Sequence, residues 1–381
     1  MTGTRDSPER QYPRLRPLLS LRVVLFLPST DTIESMTIRF ADPDHIATWN
    51  QLILANPDGG NLFQGKEFAD QKAMTGWTMQ FVLAGSMAIT VFEKSVFGLG
   101  KLWYLPKGPG ISSIRELDEL LPDLKLFARK HGVFAVKIEP EFTKRDEVLA
   151  DLMKLGPVRV RPIQPNFSTI TLDISDDLET VMARLNQKGR HAIRRAERDG
   201  VTTQLVEATD ENCQVMYDLL AKTAAGSFSI RSFTYYKTFW QRYQAAGLGQ
   251  LLFAYVDDKI VAGAYGIAFG EKGTYKDGAS VRERTVYGAS HLLQWRLIEW
   301  MKSRGVRIHD FCGAPPSDQI KNPDHPHYGI GRFKTSFNKE VTDYVGAYDV
   351  IIRPTQYKLW TRAGERIVLR IHSRLHHESW Y

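Results

Sequence analysis

The hydrophobic pattern in the first half of the chain predicts three strands, a helix and a further strand. Apolar runs at 78–83, 87–92 and 101–105 are separated by turn residues, as in an antiparallel meander. Apolar positions then follow the helical period over 114–131, and a continuous apolar run at 134–138 predicts the next strand. These five elements form one supersecondary unit.

The same order of elements returns in the second half. The corresponding segments are 251–255, 260–267, 273–276, 289–304 and 307–311. Phe81 and Phe253 are 172 positions apart, and Gly132 and Gly305 are 173 apart. An offset so constant indicates two copies of one unit.

A meander followed by a helix and a strand is the plan of the acyl-CoA N-acyltransferase (GNAT) fold. We therefore expect an α+β protein with a tandem pair of GNAT-like domains, whose mixed, mostly antiparallel sheets are flanked by helices. The first domain is predicted at 36–165 and the second at 166–353. In the second domain, 168–172 and 340–352 are expected to be strands. A helix is expected after this domain, within 354–381, and it is long enough to fold back on the first domain.

One predicted helix, at 185–199, carries its charge on a single side. Apolar positions share one face, while the other carries Lys188, Arg190, Arg194, Arg195 and Arg198. Gly200 is expected to end it in a left-handed conformation. The basic face suits a polyanion such as RNA, a pyrophosphate or an anionic membrane surface, although a solvated surface would show the same pattern.

Composition is that of an ordinary globular protein, with 43% hydrophobic and 24% charged residues and a formal charge of +7. Cys213 and Cys312 are too few for a disulfide framework, so a cytoplasmic protein is expected, with the inner face of the plasma membrane as an alternative. His325 and His327 lie in a loop without further ligands at suitable spacing, so we expect no metal.

The N-terminus has a charged start and a short apolar core at 14–28, as in a signal peptide. Arg22 interrupts that core, and the first convincing strand begins at Met36. We therefore expect 1–35 to be a poorly ordered leader or an incorrectly assigned start, with weak membrane contact as the alternative. No apolar run reaches the length of about 18 residues that a membrane span requires.

GNAT acetyltransferases hold the CoA pyrophosphate on a glycine-rich loop of the form (Q/R)xxGx(G/A) where the helix begins. The corresponding segments here, 111–115 and 284–289, do not have this pattern. CoA is therefore not the expected acyl donor.

Several separated segments resemble the Fem family of peptidoglycan aminoacyltransferases, which build interpeptide bridges from aminoacyl-tRNA. They are NLFQGKEFADQKAMTGW (61–77), YLPKGPG (104–110), KGRHAIRRAERDGV (188–201), YKDGAS (275–280), HLLQWRLIEWMKSRGVRIHDFCG (291–313) and YGIGRFKTSFNKEVTDYVGAYDVIIRP (328–354). The resemblance covers roughly 36–360, implies the same tandem fold, and fits the compact form without a coiled-coil arm, because no sustained heptad is present.

The resemblance implies a role for five residues. Lys72 and Arg231 would bind the pyrophosphate of the muropeptide precursor, since an Arg fork and a Lys point charge both suit phosphate oxygens. Tyr235 and Tyr275 would line the same cleft. Lys334 would lie beside the reacting ester and stabilise the oxyanion formed when an amine attacks it. A solvated lysine or a local ion pair is the structural alternative at these charged positions.

Asp277 and Glu139 lie at corresponding strand ends of the two copies, where a carboxylate can orient the attacking amine or accept its proton. A structural ion pair is the plainer interpretation of both residues. The basic residues at 188–198 match the family's basic segment and would face tRNA.

The expected function is transfer of an amino acid from aminoacyl-tRNA, as co-substrate and without a cofactor, to the stem peptide of a nucleotide- or lipid-linked muropeptide precursor. A monomer with peripheral membrane contact is expected. The alternatives are a GNAT-type N-acetyltransferase and a non-catalytic RNA-binding protein of the same tandem fold. The transferred amino acid and the acceptor amine stay open.

Overall fold

A computed structural model describes residues 36–164, 167–224, 229–281, 287–376 and 380–381. The proposed leader at 1–35 lies outside the described residues, as does 284–286 of the second loop considered for CoA. The chain from Met36 onward forms one compact unit.

Fifteen strands are present in the described residues. In chain order they are β1 (Ile38–Phe40), β2 (Thr78–Ala84), β3 (Met87–Val96), β4 (Gly100–Leu105), β5 (Val133–Ile138), β6 (Val158–Val160), β7 (Ser168–Thr169), β8 (Thr171–Asp173), β9 (Thr202–Val206), β10 (Gly249–Val256), β11 (Lys259–Phe269), β12 (Lys272–Ser280), β13 (Ile308–Asp310), β14 (Thr342–Asp343) and β15 (Ala347–Ile351).

Thirteen α-helices accompany these strands in the same part of the chain. They are α1 (Pro43–Ala47), α2 (Trp49–Leu54), α3 (Lys66–Ala73), α4 (Ile114–Lys130), α5 (Asp146–Lys154), α6 (Leu178–Arg184), α7 (Gln187–Arg198), α8 (Asp210–Ala224), α9 (Phe233–Ala245), α10 (Ala289–Ser303), α11 (Tyr328–Lys334), α12 (Pro354–Leu359) and α13 (Glu365–His376). A 3₁₀ turn covers Leu62–Gln64, and a π-helical segment, Trp360–Gly364, joins α12 to α13.

Two large sheets carry the fold. Their strand orders are β1-β2-β3-β4-β5-β15-β6 and β8-β13-β12-β11-β10-β9, and a small third sheet pairs β14 with β7. In each large sheet a three-stranded antiparallel meander is followed by a helix, α4 or α10, and by a strand that pairs in parallel with the last meander strand. The α+β class and the tandem GNAT-like architecture are therefore confirmed.

Strand β15 departs from the expected layout. It pairs with β5 and β6 and so belongs to the first sheet, although it falls within the segment 166–353 assigned to the second domain. The expected strand at 340–352 is divided by Gly346, whose φ is +88°. The expected strand at 168–172 is likewise divided into β7 and β8, which join different sheets. Pairing with strands distant in sequence determines where these two segments are divided and which sheet each part joins. The local hydrophobic pattern does not encode this pairing.

The two sheets share one hydrophobic cluster. Trp49, Phe92 and Tyr104 from the first half are buried together with Trp240 and Phe253 from the second. Because side chains of both halves pack in this one cluster, the two sheets are held in a fixed position relative to each other. Residues at the strand ends of both units can therefore contribute to one site.

The helix expected within 354–381 packs on the first sheet. Tyr357, Trp360 and Trp380 are buried against Leu102 and Phe134. None of the helices in the described ranges combines the length and apolar character needed to cross a bilayer.

Candidate active site

Lys72 and Arg231 lie close together where α3 meets α9. Gln71 fixes the contact, because its side-chain nitrogen donates to the backbone carbonyl of Tyr235 at 3.0 Å and its oxygen accepts from Arg242 at 2.5 Å. The Arg231 guanidinium stacks over the Tyr235 ring, 4.9 Å from its centroid. In the part of the chain that the structure describes, no carboxylate forms an ion pair with Lys72 or Arg231.

The pKa of Lys72 is lowered to about 7, mainly by burial and in addition by the nearby positive charges of Arg231 and Lys94. The Lys72 side chain is only 4% exposed, and its amine lies 5.9 Å from the centre of the Trp77 ring. Lys94 donates to the backbone carbonyl of Trp380, and burial lowers its pKa to about 8. Lys72 and Lys94 are buried and Arg231 is half-buried. Positive charges placed so, with no acidic partner in the described residues, are unfavourable unless an anion compensates them, so the geometry suits an anionic ligand.

Tyr235 extends this cationic cluster toward β12. Its pKa is raised by burial and is influenced in turn by Lys276, Arg231 and Asp277. A bulge in the pairing of β12 with β11 lies between Tyr275 and Asp277, so that Lys276 and Asp277 approach each other at 3.1 Å. The other oxygen of Asp277 accepts from the Trp240 indole at 2.9 Å.

Lys334 lies where β12 and β13 separate. The two strands pair only as far as Thr274 and Asp310, after which β12 continues alone beside β11. The Lys334 amine donates to the carbonyl of Cys312 and, at 2.6 Å, to that of Gly313. It also lies 6.0 Å from the centre of the Tyr275 ring on β12. Lys334 therefore bridges the two sides of the separation.

The backbone that holds Lys334 has an unusual conformation. Cys312 and Gly313 have φ values of +57° and +44°, so two consecutive residues are left-handed directly after β13. Such positions are costly for a residue other than glycine and occur often at functional sites. Burial lowers the pKa of Lys334, while the neighbouring Cys312 and Asp310 act in the opposite direction.

A cavity of about 380 Å³ is lined by Cys312 and Gly313, by residues that follow strands of the first unit and by residues of β12 and β13. Its charged lining residues are Asp58, Lys107, Glu141, Lys272 and Asp310. One oxygen of Asp310 accepts from the Cys312 amide at 2.7 Å and from Thr169, and burial raises its pKa. The cavity therefore combines carboxylates and lysines within reach of the Lys334 region.

Glu139 does not share this arrangement. One of its oxygens accepts from the Tyr104 hydroxyl at 2.6 Å, and the other accepts from the backbone amides of Ile163 and Gln164 at 2.6 and 3.2 Å. Burial raises its pKa. These contacts tie the segment after β6 to the end of β5, which is a structural task.

Helix α7 has the predicted two faces. Ala192, Ile193 and Ala196 are buried, while Lys188, Arg194, Arg195 and Arg198 are exposed. Gly200 has a φ of +81°, as expected for the residue that ends this helix.

Two of the arginines on α7 have partners within the chain. Arg190 is half-buried and donates to the carbonyls of Ala183 and Leu185, where it satisfies the end of α6. Arg195 pairs with Asp199 at 3.2 Å. Arg190 thus differs from the expectation of a free tRNA-facing side chain, because the helix α6 that it caps was not predicted.

The basic helix touches the segment that follows Lys334. A Cβ atom at Gly189 would lie 2.3 Å from the Ser336 carbonyl oxygen, and the Asn186 side chain donates to the Thr335 carbonyl at 3.2 Å. The exposed basic face and Lys334 are therefore carried by elements in direct contact.

The predicted residues fall into three groups. Lys72, Arg231 and Tyr235 are adjacent. Asp277 and Tyr275 lie on β12, where Trp240 of α9 donates to Asp277 and where Lys334 lies 6.0 Å from the Tyr275 ring. The basic residues of α7 form the second group, and Glu139 stands apart. In the described ranges, no set of three or more His, Cys, Asp or Glu side chains is arranged to hold a metal.

Sequence reasoning missed Lys94, Lys276 and Asp310. Lys94 and Lys276 lie in strands, where a lysine ordinarily faces solvent; the structure shows that Lys94 is buried and that the half-buried Lys276 pairs with Asp277. Asp310 is the last residue of β13 and precedes Cys312 and Gly313. Its position at a strand end could have identified it as a candidate site residue from the sequence.

Comparison with known proteins supports the same class. The family model described as an acetyltransferase (GNAT) domain matches residues 183–323. Lipid II:glycine glycyltransferase of Staphylococcus aureus strain MRSA252 is 21% identical, with 83% of this chain and 93% of that protein covered. The crystal structure of FemX superposes with a TM-score of 0.72 at 18% identity, covering 85% of this chain and 99% of FemX. L-PGS from Bacillus licheniformis gives a TM-score of 0.50 at 14% identity, covering 86% of this chain and 98% of that one.

The fold and the comparisons define a tandem GNAT-fold protein and support a transferase of the acyltransferase class. Within that class, the resemblance of this chain to the Fem family is confirmed over most of its length.

Proposed function

We propose that the protein transfers an aminoacyl group from aminoacyl-tRNA to the stem peptide of a peptidoglycan precursor, UDP-MurNAc-pentapeptide or lipid II, to form an interpeptide bridge. The observation that carries the proposal is the pair formed by the buried Lys72 and the half-buried Arg231, which has no acidic partner in the described residues. Helix α9, which follows Arg231, contacts β12 through Trp240 and Asp277, and Lys334 lies 6.0 Å from Tyr275 on the same strand. Relatives of similar length named lipid II:glycine glycyltransferase support the same substrate class.

The cationic cluster is the proposed pyrophosphate site. Both precursors carry a pyrophosphate, and its oxygens would accept from the Arg231 guanidinium and from protonated Lys72. The bound anion would favour the charged form of Lys72 and so raise its pKa from about 7. The Tyr235 ring, whose centre lies 4.9 Å from the guanidinium carbon, supports Arg231 through a cation–π contact.

Lys334 is the proposed stabiliser of the reacting ester. An amine of the stem peptide attacks the ester carbonyl carbon, and the carbonyl oxygen becomes an oxyanion. When this tetrahedral intermediate collapses, an amide is formed and the bond between the acyl carbon and the tRNA ribose oxygen breaks. An ammonium group has three N–H donors, and Lys334 uses two for the carbonyls of Cys312 and Gly313. The third is available to the oxyanion.

The proton released by the attacking amine needs a carboxylate, and the ribose oxygen needs a proton as it leaves. Asp277, which pairs with Lys276 at 3.1 Å, is the carboxylate proposed to orient the amine. Asp310 lines the adjacent cavity and is the second candidate. Glu139 is left out of this role because it is only 4% exposed and its hydrogen bonds hold the segment after β6 to the end of β5.

The exposed face of α7 is the proposed tRNA surface. Phosphate contacts by Lys and Arg give affinity without sequence preference and weaken with salt. The contact between Gly189 and Ser336 would place the bound acceptor stem beside the segment that carries Lys334. Because aminoacyl-tRNA is cytoplasmic, the reaction is proposed for the cytoplasm or the inner face of the membrane, without a further cofactor.

An N-acetyltransferase is the second candidate, favoured by the GNAT domain match over 183–323. The absence of the glycine-rich CoA pattern in the sequence at 284–289 argues against it. An RNA-binding protein without catalysis is the remaining alternative and would need only α7.

The deciding experiment incubates the protein with a panel of charged tRNAs, UDP-MurNAc-pentapeptide or lipid II, and in parallel with acetyl-CoA, and records the precursor mass. A gain of one amino-acid residue that requires charged tRNA supports the proposal. Acetylation without tRNA, or tRNA binding with no mass gain on either precursor, overturns it.

A further inference from the structure

The C-terminal helix α13 has an exposed apolar stripe. Ile367, Ile371 and Leu375 recur every four residues and are 54%, 52% and 69% exposed. Residues four apart lie on one side of a helix, so these side chains form a continuous row. A row of three aliphatic side chains in water is unfavourable unless another apolar phase covers it.

A row of arginines runs beside the apolar one. Arg366, Arg370 and Arg374 are exposed and also recur every four residues, each directly preceding a member of the apolar row. On a helical wheel the two rows occupy adjacent sectors of the same outer side. Acidic residues are not part of either row.

The opposite side of the helix holds it to the protein. Val368 and Leu369 pack against the cluster formed by Trp360, Trp380 and the first sheet. Glu365 accepts a hydrogen bond from the Tyr381 hydroxyl. The outward direction of the two exposed rows is therefore fixed by packing on the inner side.

A second exposed apolar residue lies near the start of this helix. Phe97, in the turn between β3 and β4, is fully exposed. Leu99 of the same turn packs on the cluster under α13, and its Cδ1 lies 3.5 Å from where a Cβ at Gly364 would be. The turn and the helix are thus neighbours, and an aromatic ring is available beside the aliphatic row.

We infer that α13, with the turn at Phe97, is a docking surface for an anionic phospholipid bilayer. Arginines pair with lipid phosphates, while the aliphatic row enters the boundary between headgroups and acyl chains. At 12 residues the helix is about 18 Å long, too short to span and suited to lying in the interface. RNA would satisfy the arginines but would leave the three aliphatic side chains in water.

This inference does not rest on the proposed function, because vesicle binding is measured without tRNA or precursor. It extends the proposed function, because binding of α13 to the membrane would keep the candidate active site near a lipid-linked substrate. Failure of one leaves the other testable.

The test is sedimentation of the full chain with phosphatidylcholine vesicles, with and without one quarter phosphatidylglycerol. Wild type is expected to bind the anionic vesicles and to be released by salt. Ile367→Gln/Ile371→Gln/Leu375→Gln should weaken binding at least tenfold. Arg366→Gln/Arg370→Gln/Arg374→Gln should weaken it about 100-fold, at roughly fivefold per arginine, and should remove the preference for phosphatidylglycerol.

Leu126→Gln is the matched control, because Leu126 on α4 is 68% exposed and lies outside the proposed surface. It should bind as wild type. Phe97→Ser is an independent variant that leaves α13 intact and should weaken binding severalfold. Thermal melts identify any variant that is unfolded.

Four results would overturn the inference. The first is that the wild-type protein stays in the supernatant with anionic vesicles. The second is that either triple variant, shown to be folded, sediments with these vesicles as the wild-type protein does. The third is a dimer in solution, by light scattering, that the apolar triple variant dissociates while neither form binds vesicles. Loss of tRNA binding in the arginine variant with unchanged vesicle binding would assign the surface to RNA instead.

Discussion

Lys334 and Tyr275 face each other across the point where β12 and β13 separate, with the amine 6.0 Å from the ring centre. One residue ends a short helix and the other lies in a strand, yet the carbonyls of Cys312 and Gly313 hold the amine in place. The proposed chemistry depends on this relationship.

Replacing Lys334 tests the role of its charge. Lys334→Met is expected to lower kcat about 100- to 1000-fold with little change in precursor affinity, because a single oxyanion donor is worth that much. Single-turnover transfer from charged tRNA measures the rate, and calorimetry measures affinity. Lys339→Met, at an exposed lysine five positions later, is the control and should retain full activity. Equal losses in the two variants would remove Lys334 from the mechanism.

Precursor binding should depend on pH through Lys72. With a pKa of about 7 in the free protein, Lys72 is charged below that pH and neutral above it, so affinity should fall as pH rises above 7. The expected slope approaches tenfold per pH unit until the pKa of the complex is reached. Lys72→Met should bind weakly and lose this slope, leaving a smaller change near pH 8 from Lys94. Unchanged slope in the variant would contradict the assignment.

Much of the fold was predictable because its meander strands are long apolar runs with turns between them. The position of β15 was not, since its pairing with β5 joins residues more than 200 positions apart. Helix α9 was also missed, although it begins two residues after Arg231 and carries Tyr235. Tertiary packing rather than local pattern decided these elements.

Only part of the candidate site could be predicted, because tertiary packing also decides which side chains contact one another. The resemblance supplied Lys72, Arg231 and Lys334; the structure places Lys72 near Arg231, and Lys334 near Tyr275 of β12. The hydrogen bonds that satisfy Glu139 come from a loop 24 positions onward, and the bulge that turns Lys276 toward Asp277 depends on pairing with β11. Neither has a signal in the local sequence.

Arginines on α7 should separate into two kinds. Arg194→Gln/Arg198→Gln removes exposed charge and should weaken tRNA binding and reduce its salt slope by about two, with little effect on stability. Arg190→Gln should instead lower the melting temperature by several degrees, because the carbonyls at the end of α6 lose their donor. Filter binding across a salt series and thermal melts give the two readouts. A purely solvated face would leave tRNA binding unchanged in both variants.

Gly189 tests whether α7 and the Lys334 segment act together. A methyl group there would lie 2.3 Å from the Ser336 carbonyl oxygen, which is backbone and cannot rotate away. Gly189→Ala should therefore displace α7 or the segment after Lys334, at a cost of about 1–3 kcal/mol. Gly329→Ala, on the helix that carries Lys334 and with no atom within 4 Å of the added carbon, is the matched control. If the tRNA surface and the reacting ester are aligned by this contact, Gly189→Ala should reduce transfer at saturating tRNA, while hydrolysis of bound aminoacyl ester is unchanged or increased. Wild-type transfer in a folded Gly189→Ala protein would mean that the two elements are merely adjacent.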